Sequence, residues 1–169
     1  KGVVDVVDMS QPENPKQIGE LSARSLLADS AVNSVAVQNG IVALAVQAQT
    51  KTDNGIVAFY NASDLTFISQ ITVGALPDML IFTADQQSVL VANEGEPSND
   101  YQIDPEGSVS IINIKNIKNP TIKTADFKSF NGQEKLLKQT GIRIYGPNAT
   151  AAQDFEPEYI SLSKDGKIA

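Results

Sequence analysis

The 169-residue sequence contains no cysteine and no histidine. Without cysteine, the chain can form neither a disulfide framework nor a thiolate site for a metal or a nucleophile. Without histidine, it lacks the commonest general base and the usual zinc ligand. A metal ion bound by these residues would therefore be a hard cation held by oxygen atoms, such as calcium or magnesium.

Long apolar runs are also missing. No stretch approaches the roughly 20 apolar residues that a membrane helix needs, so we expect no membrane span in this chain. The sequence opens on a strand-like segment, residues 3–7, with no signal peptide before it. Because export removes such a signal, its absence leaves the location of the protein open.

Basic residues are absent from the middle of the chain. No lysine or arginine lies between Lys51 and Lys115, and the net charge of the whole chain is −7. The same stretch carries nine acidic residues: Asp53, Asp64, Asp78, Asp85, Glu94, Glu96, Asp100, Asp104 and Glu106. Binding to nucleic acid needs a basic stripe, so this pattern argues against it. The acidic stretch is either a solvated surface or a surface that contains a cation site.

A repeated pattern indicates the fold. Residues 76–92 read LPDMLIFTADQQSVLVA, and residues 156–169 read EPEYISLSKDGKIA. Each copy has a proline and an acidic residue, an alternating apolar strand ending in Thr or Ser, an Asp-containing turn, and a second apolar strand. The equivalent pairs are Asp78 and Glu158, Asp85 and Asp165, and Leu90 and Ile168. A repeated unit of this kind buries its apolar face on its neighbours, which predicts a β-propeller.

Two consecutive units each have the four short strands of a propeller blade. In the first unit, Asn39-Gly40 is a preferred two-residue hairpin turn between the first two strands. The second unit repeats the same order of strands. Asn33 and Asp78 occupy equivalent positions, 78 − 33 = 45 residues apart, within the roughly 40 to 50 residues of known propeller repeats. We therefore predict an all-β fold, a β-propeller of which this chain holds about two complete blades plus parts of two others.

The predicted organisation follows from these repeats. Residues 1–30 are expected to end one blade, 31–75 and 76–127 to form two complete blades, and 156–169 to start another. Two blades cannot close a propeller, which needs at least about four, so we expect the rest of the propeller as the chain's structural partner. Residues 128–155 are predicted to be an insertion, with a helix over 133–139 that Gly141 ends. The insertion is either functional or a cover for one end of the channel.

Residues 93–107 are the first candidate site. Five carboxylates fall within thirteen residues: Glu94, Glu96, Asp100, Asp104 and Glu106. Held close together, they repel one another unless they are hydrated, protonated or bridged by a cation. Calcium prefers several carboxylate and carbonyl oxygens, so this loop is a candidate calcium site. The alternative is a solvated loop in which Asp100 and Asp104 are turn residues.

Residues 154–158 are the second candidate site. Asp154, Glu156 and Glu158 are further candidate metal ligands, just before a predicted innermost strand, where side chains face one end of the channel. Asp78, Glu156 and Glu158 are expected to cluster near the channel axis. The alternative is that Asp78 and Glu158 hydrogen-bond backbone amides of the neighbouring blade. The sequence assigns no catalytic residue and no other cofactor, because no serine or threonine lies in a nucleophile elbow.

The chain resembles a known family. The run NEGEPSNDYQIDPEGSVSIINI and the run AQDFEPEYISLSKDGKIA are similar to segments of the bacterial choice-of-anchor I proteins. These are YVTN-like propellers related to a mesenchyme-specific cell-surface glycoprotein, and they are often labelled alkaline phosphatase. The resemblance implies a propeller of seven blades and an extracellular, periplasmic or cell-surface location.

Two functional hypotheses follow. The first is a secreted or cell-surface binding or scaffold module, stabilised by calcium, whose ligand or surface partner is unknown. The second is a metal-dependent phosphoesterase, in which carboxylates of the acidic loop and the channel bind the metal. The sequence does not distinguish between them.

Overall fold

Ten short strands form the framework of the structure, a computed structural model that describes residues 2–169. The strands are β1 (Val3–Asp8), β2 (Lys16–Ser22), β3 (Ala31–Gln38), β4 (Ile41–Gln47), β5 (Asn54–Asn61), β6 (Phe67–Ala75), β7 (Pro77–Phe82), β8 (Ser88–Asn93), β9 (Ser108–Asn113) and β10 (Thr121–Asp126). They form three antiparallel sheets with the orders β1-β2, β3-β4-β5-β6 and β10-β9-β8-β7. The predicted all-β class is confirmed. No sheet closes on itself within residues 2–169, and the number of blades stays a prediction.

The sheets stack face to face, because successive apolar side chains along a strand point to opposite faces of its sheet. In β4, Ala43 and Ala45 point to the core shared with the β7–β10 sheet, whereas Leu44 points to the core shared with β1 and β2. In β8, Val91 faces the first of these cores and Leu90 faces the opposite way, towards Ile160. Successive side chains of a strand point to opposite faces, so a strand that is apolar throughout has both faces covered.

Local sequence explains the hairpins. Asn39 and Gly40 have φ values of 48° and 76°, the positive values that a two-residue hairpin turn requires. A different turn joins β7 to β8: the Thr83 hydroxyl donates to Asp85 at 2.7 Å, and Asp85 also accepts from the Gln87 N–H at 3.1 Å. The Ser88 N–H then donates to the Thr83 hydroxyl oxygen at 3.0 Å.

This turn, which we call the aspartate turn, occurs three times among the described residues. In residues 98–103 the Ser98 hydroxyl donates to Asp100 at 2.7 Å, and the Ile103 N–H donates to the Ser98 oxygen at 3.0 Å. In residues 163–168 the Ser163 hydroxyl donates to Asp165, also at 2.7 Å. The fourth residue of each copy has positive φ: Gln86, Tyr101 and Gly166. The first and third copies are the repeat seen in the sequence, and the second lies inside the acidic loop.

Residues 156–169 differ from the regular strand that the sequence predicted. Among the described residues this segment contains the aspartate turn but no regular strand. The Ser163 N–H donates to the Ile168 carbonyl at 2.8 Å, and a strand needs a longer ladder of such bonds. Ile160 still packs against Leu90 and Ala92 of β8. The assignment of this segment to a further blade stays a prediction.

The insertion contains a 3-10 turn (Lys128–Phe130) and two short helices, α1 (Glu134–Gln139) and α2 (Ala151–Asp154). The predicted helix is confirmed, and it ends as expected: Gly141 has φ 91°, and the Ile142 N–H donates to the Leu137 carbonyl at 3.1 Å. The sequence analysis missed α2, whose start is capped by Thr150 and Gln153. The longest of these described helices has six residues, too few to cross a membrane.

Candidate functional site

The two candidate segments of the sequence meet in the fold. The Gly107 N–H donates to the Ala152 carbonyl at 2.9 Å, and the Gln153 side-chain amide donates to the Asp104 carbonyl at 2.9 Å. A Cβ at Gly107 would collide with the Phe155 carbonyl oxygen, so only glycine permits this close approach. The acidic loop between β8 and β9 is therefore held against α2 and the residues that follow it.

The insertion is in turn fixed by its own side chains. Glu134 of α1 accepts from the Ala151 N–H at 3.0 Å, and Asn131 accepts from the Ala152 N–H at 2.9 Å. The Phe155 ring packs against Phe127, with ring centroids 5.4 Å apart. These contacts give the acidic residues beyond α2 a defined position relative to the sheets.

Glu94 has the most strongly shifted pKa of the acidic residues. It directly follows β8, and its N–H donates to the Leu76 carbonyl at 2.9 Å. The pKa of Glu94 is raised from its ordinary 4.5 to about 7. Burial is the main cause, followed by repulsion from four further carboxylates: Glu96, Asp78, Glu158 and Glu156. Close to neutral pH, a proton therefore competes with any cation for this carboxylate.

The same two effects act on neighbouring acids. Burial raises the pKa of Glu156, with added repulsion from Asp154, Glu96 and Asp104. Burial also raises the pKa of Asp78, beside Glu158, and that of Asp104, beside Asp154. We call these seven residues the acidic cluster: Asp78, Glu94, Glu96, Asp104, Asp154, Glu156 and Glu158. One Asp104 carboxylate oxygen is buried and has no hydrogen-bond partner among the described residues.

Several predicted site residues have partners of their own. Glu96 forms an ion pair with Lys51 at 2.6 Å, and Asp154 accepts hydrogen bonds from the backbone N–H groups of Tyr145 and Gly146. Six of the eight predicted residues belong to the acidic cluster. The other two lie apart: Glu106 pairs with Lys128 at 3.1 Å, and Asp100 is the carboxylate of an aspartate turn. The hydrogen bond from Ser98 gives Asp100 the role of a turn residue, which is the alternative that the sequence left open for this loop.

The acidic cluster is not a ready-made metal cage. Within residues 2–169, no three acidic residues are placed to hold one metal ion together. Calcium takes six to eight oxygen ligands, including water and backbone carbonyls. Two or fewer carboxylates of this cluster would bind the ion directly, and water would supply most of the remaining oxygens. The cluster thus fits a weak, hydrated calcium site better than a tight one.

Sequence reasoning missed part of the site. It places Asp78 near the channel axis but outside the candidate metal set, although the Asp78 carboxylate adjoins Glu158 and Glu94. It does not single out Lys51, Tyr101 or Tyr145 at all. The position of Lys51 near the acidic loop could have been predicted from the sequence, because Lys51 lies between strands two and three of its sheet. The acidic loop joins the equivalent strands of the next sheet, so the two connections lie at the same end.

The fold and the site together define an all-β module of stacked antiparallel sheets with an acidic cluster at one end. A family model described as the choice-of-anchor I domain matches residues 1–169, and the chain belongs to this family. Membership indicates a cell-surface-associated or extracellular module. Comparison with curated proteins gave no match.

Proposed function

We propose that this chain is part of a closed β-propeller that acts as a binding or scaffold module at the cell surface, with calcium bound weakly at the acidic cluster. The observation that carries the proposal is the environment of Glu94, a partly buried carboxylate with four others around it. Proteins keep such repulsive groups where a proton or a cation relieves them. The stacked sheets support the propeller, because each face buries apolar residues on the next layer.

Calcium is the favoured cation. The available ligands are carboxylates and carbonyls, which suit a hard cation, and the loose arrangement suits affinities of about 0.1 to 1 mM, as in extracellular modules. A bound ion would neutralise Glu94 and its neighbours without protonation. The proposal does not include phosphoester hydrolysis, which no observation favours.

Thermal unfolding of the full chain with calcium or with a chelator tests the proposal. Calcium at about ten times its dissociation constant adds about 1.4 kcal/mol of stability, which raises Tm by roughly 3 to 6 °C for a chain of this size. Because calcium displaces the proton from Glu94, binding at pH 7 should also release protons. Isothermal titration in two buffers of different ionisation enthalpy measures that release.

The variants Glu94→Gln and Glu158→Gln should lose most of the calcium response. Glu13→Gln is the matched control, because Glu13 lies in the exposed connection between β1 and β2. The control should keep the full response. Equal melting temperatures in calcium and in chelator, for the wild-type chain at pH 7.5, would refute calcium binding at the cluster.

A further inference from the structure

A polar groove lies beside the acidic cluster and serves no purpose in the function proposed above. Its first part is a cleft of about 360 Å³ between the β4–β5 connection, the acidic loop and the insertion, and both Tyr101 and Tyr145 line it. A second cleft of about 400 Å³ shares Lys51, Ser98 and Asn99 with the first and includes the end of β4. We call these two adjoining clefts the groove.

The groove presents two tyrosine rings to solvent. Tyr101 is 42 % exposed and Tyr145 is 46 % exposed. A tyrosine ring offers a rigid apolar face together with a hydroxyl, which suits contact with a ligand that is part apolar and part polar. The two rings supply the aromatic surface of the first cleft.

The backbone holds Tyr101 in a conformation that its side chain disfavours. Tyr101 has φ 56°, in an aspartate turn whose third copy has Gly166 at this position. A bulky residue with positive φ is strained, and such strain concentrates at sites where a side chain must point in one direction. The turn thereby directs the Tyr101 ring into the groove.

Tyr145 is fixed by charged neighbours. Its backbone N–H donates to Asp154, and the Arg143 guanidinium lies over its ring, 4.2 Å from the centroid. A cation over one face of the ring restricts its motion and leaves nearly half of the side chain exposed. Both rings are therefore positioned before any ligand arrives.

Apart from Pro97, the rest of the lining consists of polar residues and carries no net charge. Lys51 is the one basic residue in the two clefts as residues 2–169 form them, and it is paired at 2.6 Å with Glu96, the one acidic residue. The second cleft adds the side-chain amides of Gln47 and Gln49 and the hydroxyls of Thr50 and Thr52 to the shared amide of Asn99. Amides and hydroxyls both donate and accept hydrogen bonds. This lining disfavours a strongly charged ligand and suits one rich in hydroxyl groups.

We propose that this groove binds a neutral oligosaccharide, with sugar rings against Tyr101 and Tyr145 and sugar hydroxyls bonded to the amides of Gln49 and Asn99. Two joined clefts offer room for more than one sugar ring. Sugar binding in this groove would be a function separate from the proposed calcium binding, because no groove residue needs a metal to present its side chain.

Saturation-transfer NMR on the full chain tests the proposal. The probes are neutral disaccharides and trisaccharides of glucose, N-acetylglucosamine, mannose and galactose, each in calcium and in chelator. We expect at least one to bind the wild-type chain, and Tyr145→Ala to weaken that binding by about tenfold or more, as loss of a central aromatic contact does. Tyr159→Ala is the matched control, because Tyr159 is 77 % exposed and lies outside the groove; it should bind as the wild type does.

Three results would overturn the proposal: no binding by any probe, equal binding by Tyr145→Ala, or binding of a lysine-rich peptide that Tyr145→Ala abolishes. Circular dichroism checks that each variant is folded. If Tyr145→Ala is unfolded, Gln49→Ala provides a second variant of the groove. Sugar binding that persists in chelator supports the groove even if the calcium test fails. A calcium-dependent melting shift without sugar binding refutes the groove alone.

Discussion

Lys51 and Glu96 join the two four-stranded sheets at their acidic end, with 2.6 Å between the Lys51 Nζ and a Glu96 carboxylate oxygen. Lys51 lies between β4 and β5, and Glu96 lies between β8 and β9, so the pair bridges equivalent connections of successive sheets. The pair also places a positive charge beside Glu96, the carboxylate that repels Glu94 most strongly. It is therefore a contact between layers and part of the electrostatics of the acidic cluster.

Replacing Lys51 with methionine should lower the free energy of unfolding by up to about 1 kcal/mol, because both partners are partly exposed and such pairs contribute little. Urea denaturation measures the change. The double variant Lys51→Met with Glu96→Gln should recover part of the loss, since the unpaired carboxylate is then gone. Lys167→Met, in a more exposed pair with Asp165 at 3.7 Å, should change stability by less than about 0.3 kcal/mol. A Lys51 effect no larger than that of Lys167 would contradict the bridge.

Stability should decrease as the pH rises from about 4.5 to about 7. The folded pKa of Glu94 is raised to about 7, so folding favours the protonated form, and this contribution is lost as the pH rises through the folded pKa. The raised pKa values of Asp78, Asp104 and Glu156 act in the same direction. For Glu94 the loss is on the order of 1 kcal/mol, since solvent screens a partly exposed carboxyl.

Urea denaturation in chelator between pH 4.5 and pH 8 measures this profile. Glu94→Gln should flatten it and should make the chain more stable than the wild type at pH 8. Glu13→Gln should keep the wild-type slope. Below about pH 3.8 the sign reverses, because hydrogen bonds lower the pKa of turn carboxylates such as Asp85 and Asp165. A profile that is flat from pH 4.5 to pH 8 would show that Glu94 is not strained in the folded chain.

Two copies of the aspartate turn should respond differently to the same substitution. Asp85→Ala should lower the free energy of unfolding, because its hydrogen bonds are lost and this turn, which joins β7 to β8, positions Val89 and Val91 in the core. Asp100→Ala should leave the global free energy of unfolding nearly unchanged, since its turn lies in a surface loop.

Urea denaturation separates these two outcomes, and amide exchange at Ile103 shows whether the Asp100 substitution loosens its loop. Asp53→Ala, in the exposed β4–β5 connection, provides a background value for loss of a surface aspartate. Equal losses of stability at Asp85 and Asp100 would contradict a purely local role for the second turn.

The sequence predicts the strands well because each depends on local chemistry. Alternation in residues 41–47 and the Asn39-Gly40 turn determine a hairpin without help from distant residues. The aspartate turn is equally local, since its hydrogen bonds join residues at most five positions apart. Its recurrence in residues 76–92 and 156–169 therefore makes the repeat visible in the amino-acid sequence itself.

The acidic cluster is only partly predictable, since it depends on distant contacts. Composition indicates that Glu94 and Glu156 carry unfavourable charge, but not that Gly107 brings their segments together or that Lys51 pairs with Glu96. Asp100 is a candidate ligand because it belongs to the run of five carboxylates, and its hydrogen bond from Ser98, two residues earlier, favours the alternative of a turn residue. The groove beside the cluster has no sequence signature, because its tyrosines come from separate segments.

Gly107→Ala should separate the insertion from the acidic loop. The new methyl group would collide with the Phe155 carbonyl and break the bond from the Gly107 N–H to Ala152, at a cost of about 1 to 3 kcal/mol, as overpacking usually causes. Urea denaturation gives the global loss, and amide exchange at the substituted residue should become faster. The calcium response should weaken in the same variant, because Glu156 follows the displaced segment.

Gly132→Ala is the matched control. A Cβ there meets no atom within 4 Å, so only its φ of 82° opposes the substitution, at about 1 kcal/mol. This variant should keep slow exchange at Gly107 and the full calcium response. If Gly107→Ala leaves both unchanged, the insertion does not position the acidic cluster, and the placement of Glu156 beside Glu94 must come from the sheets alone.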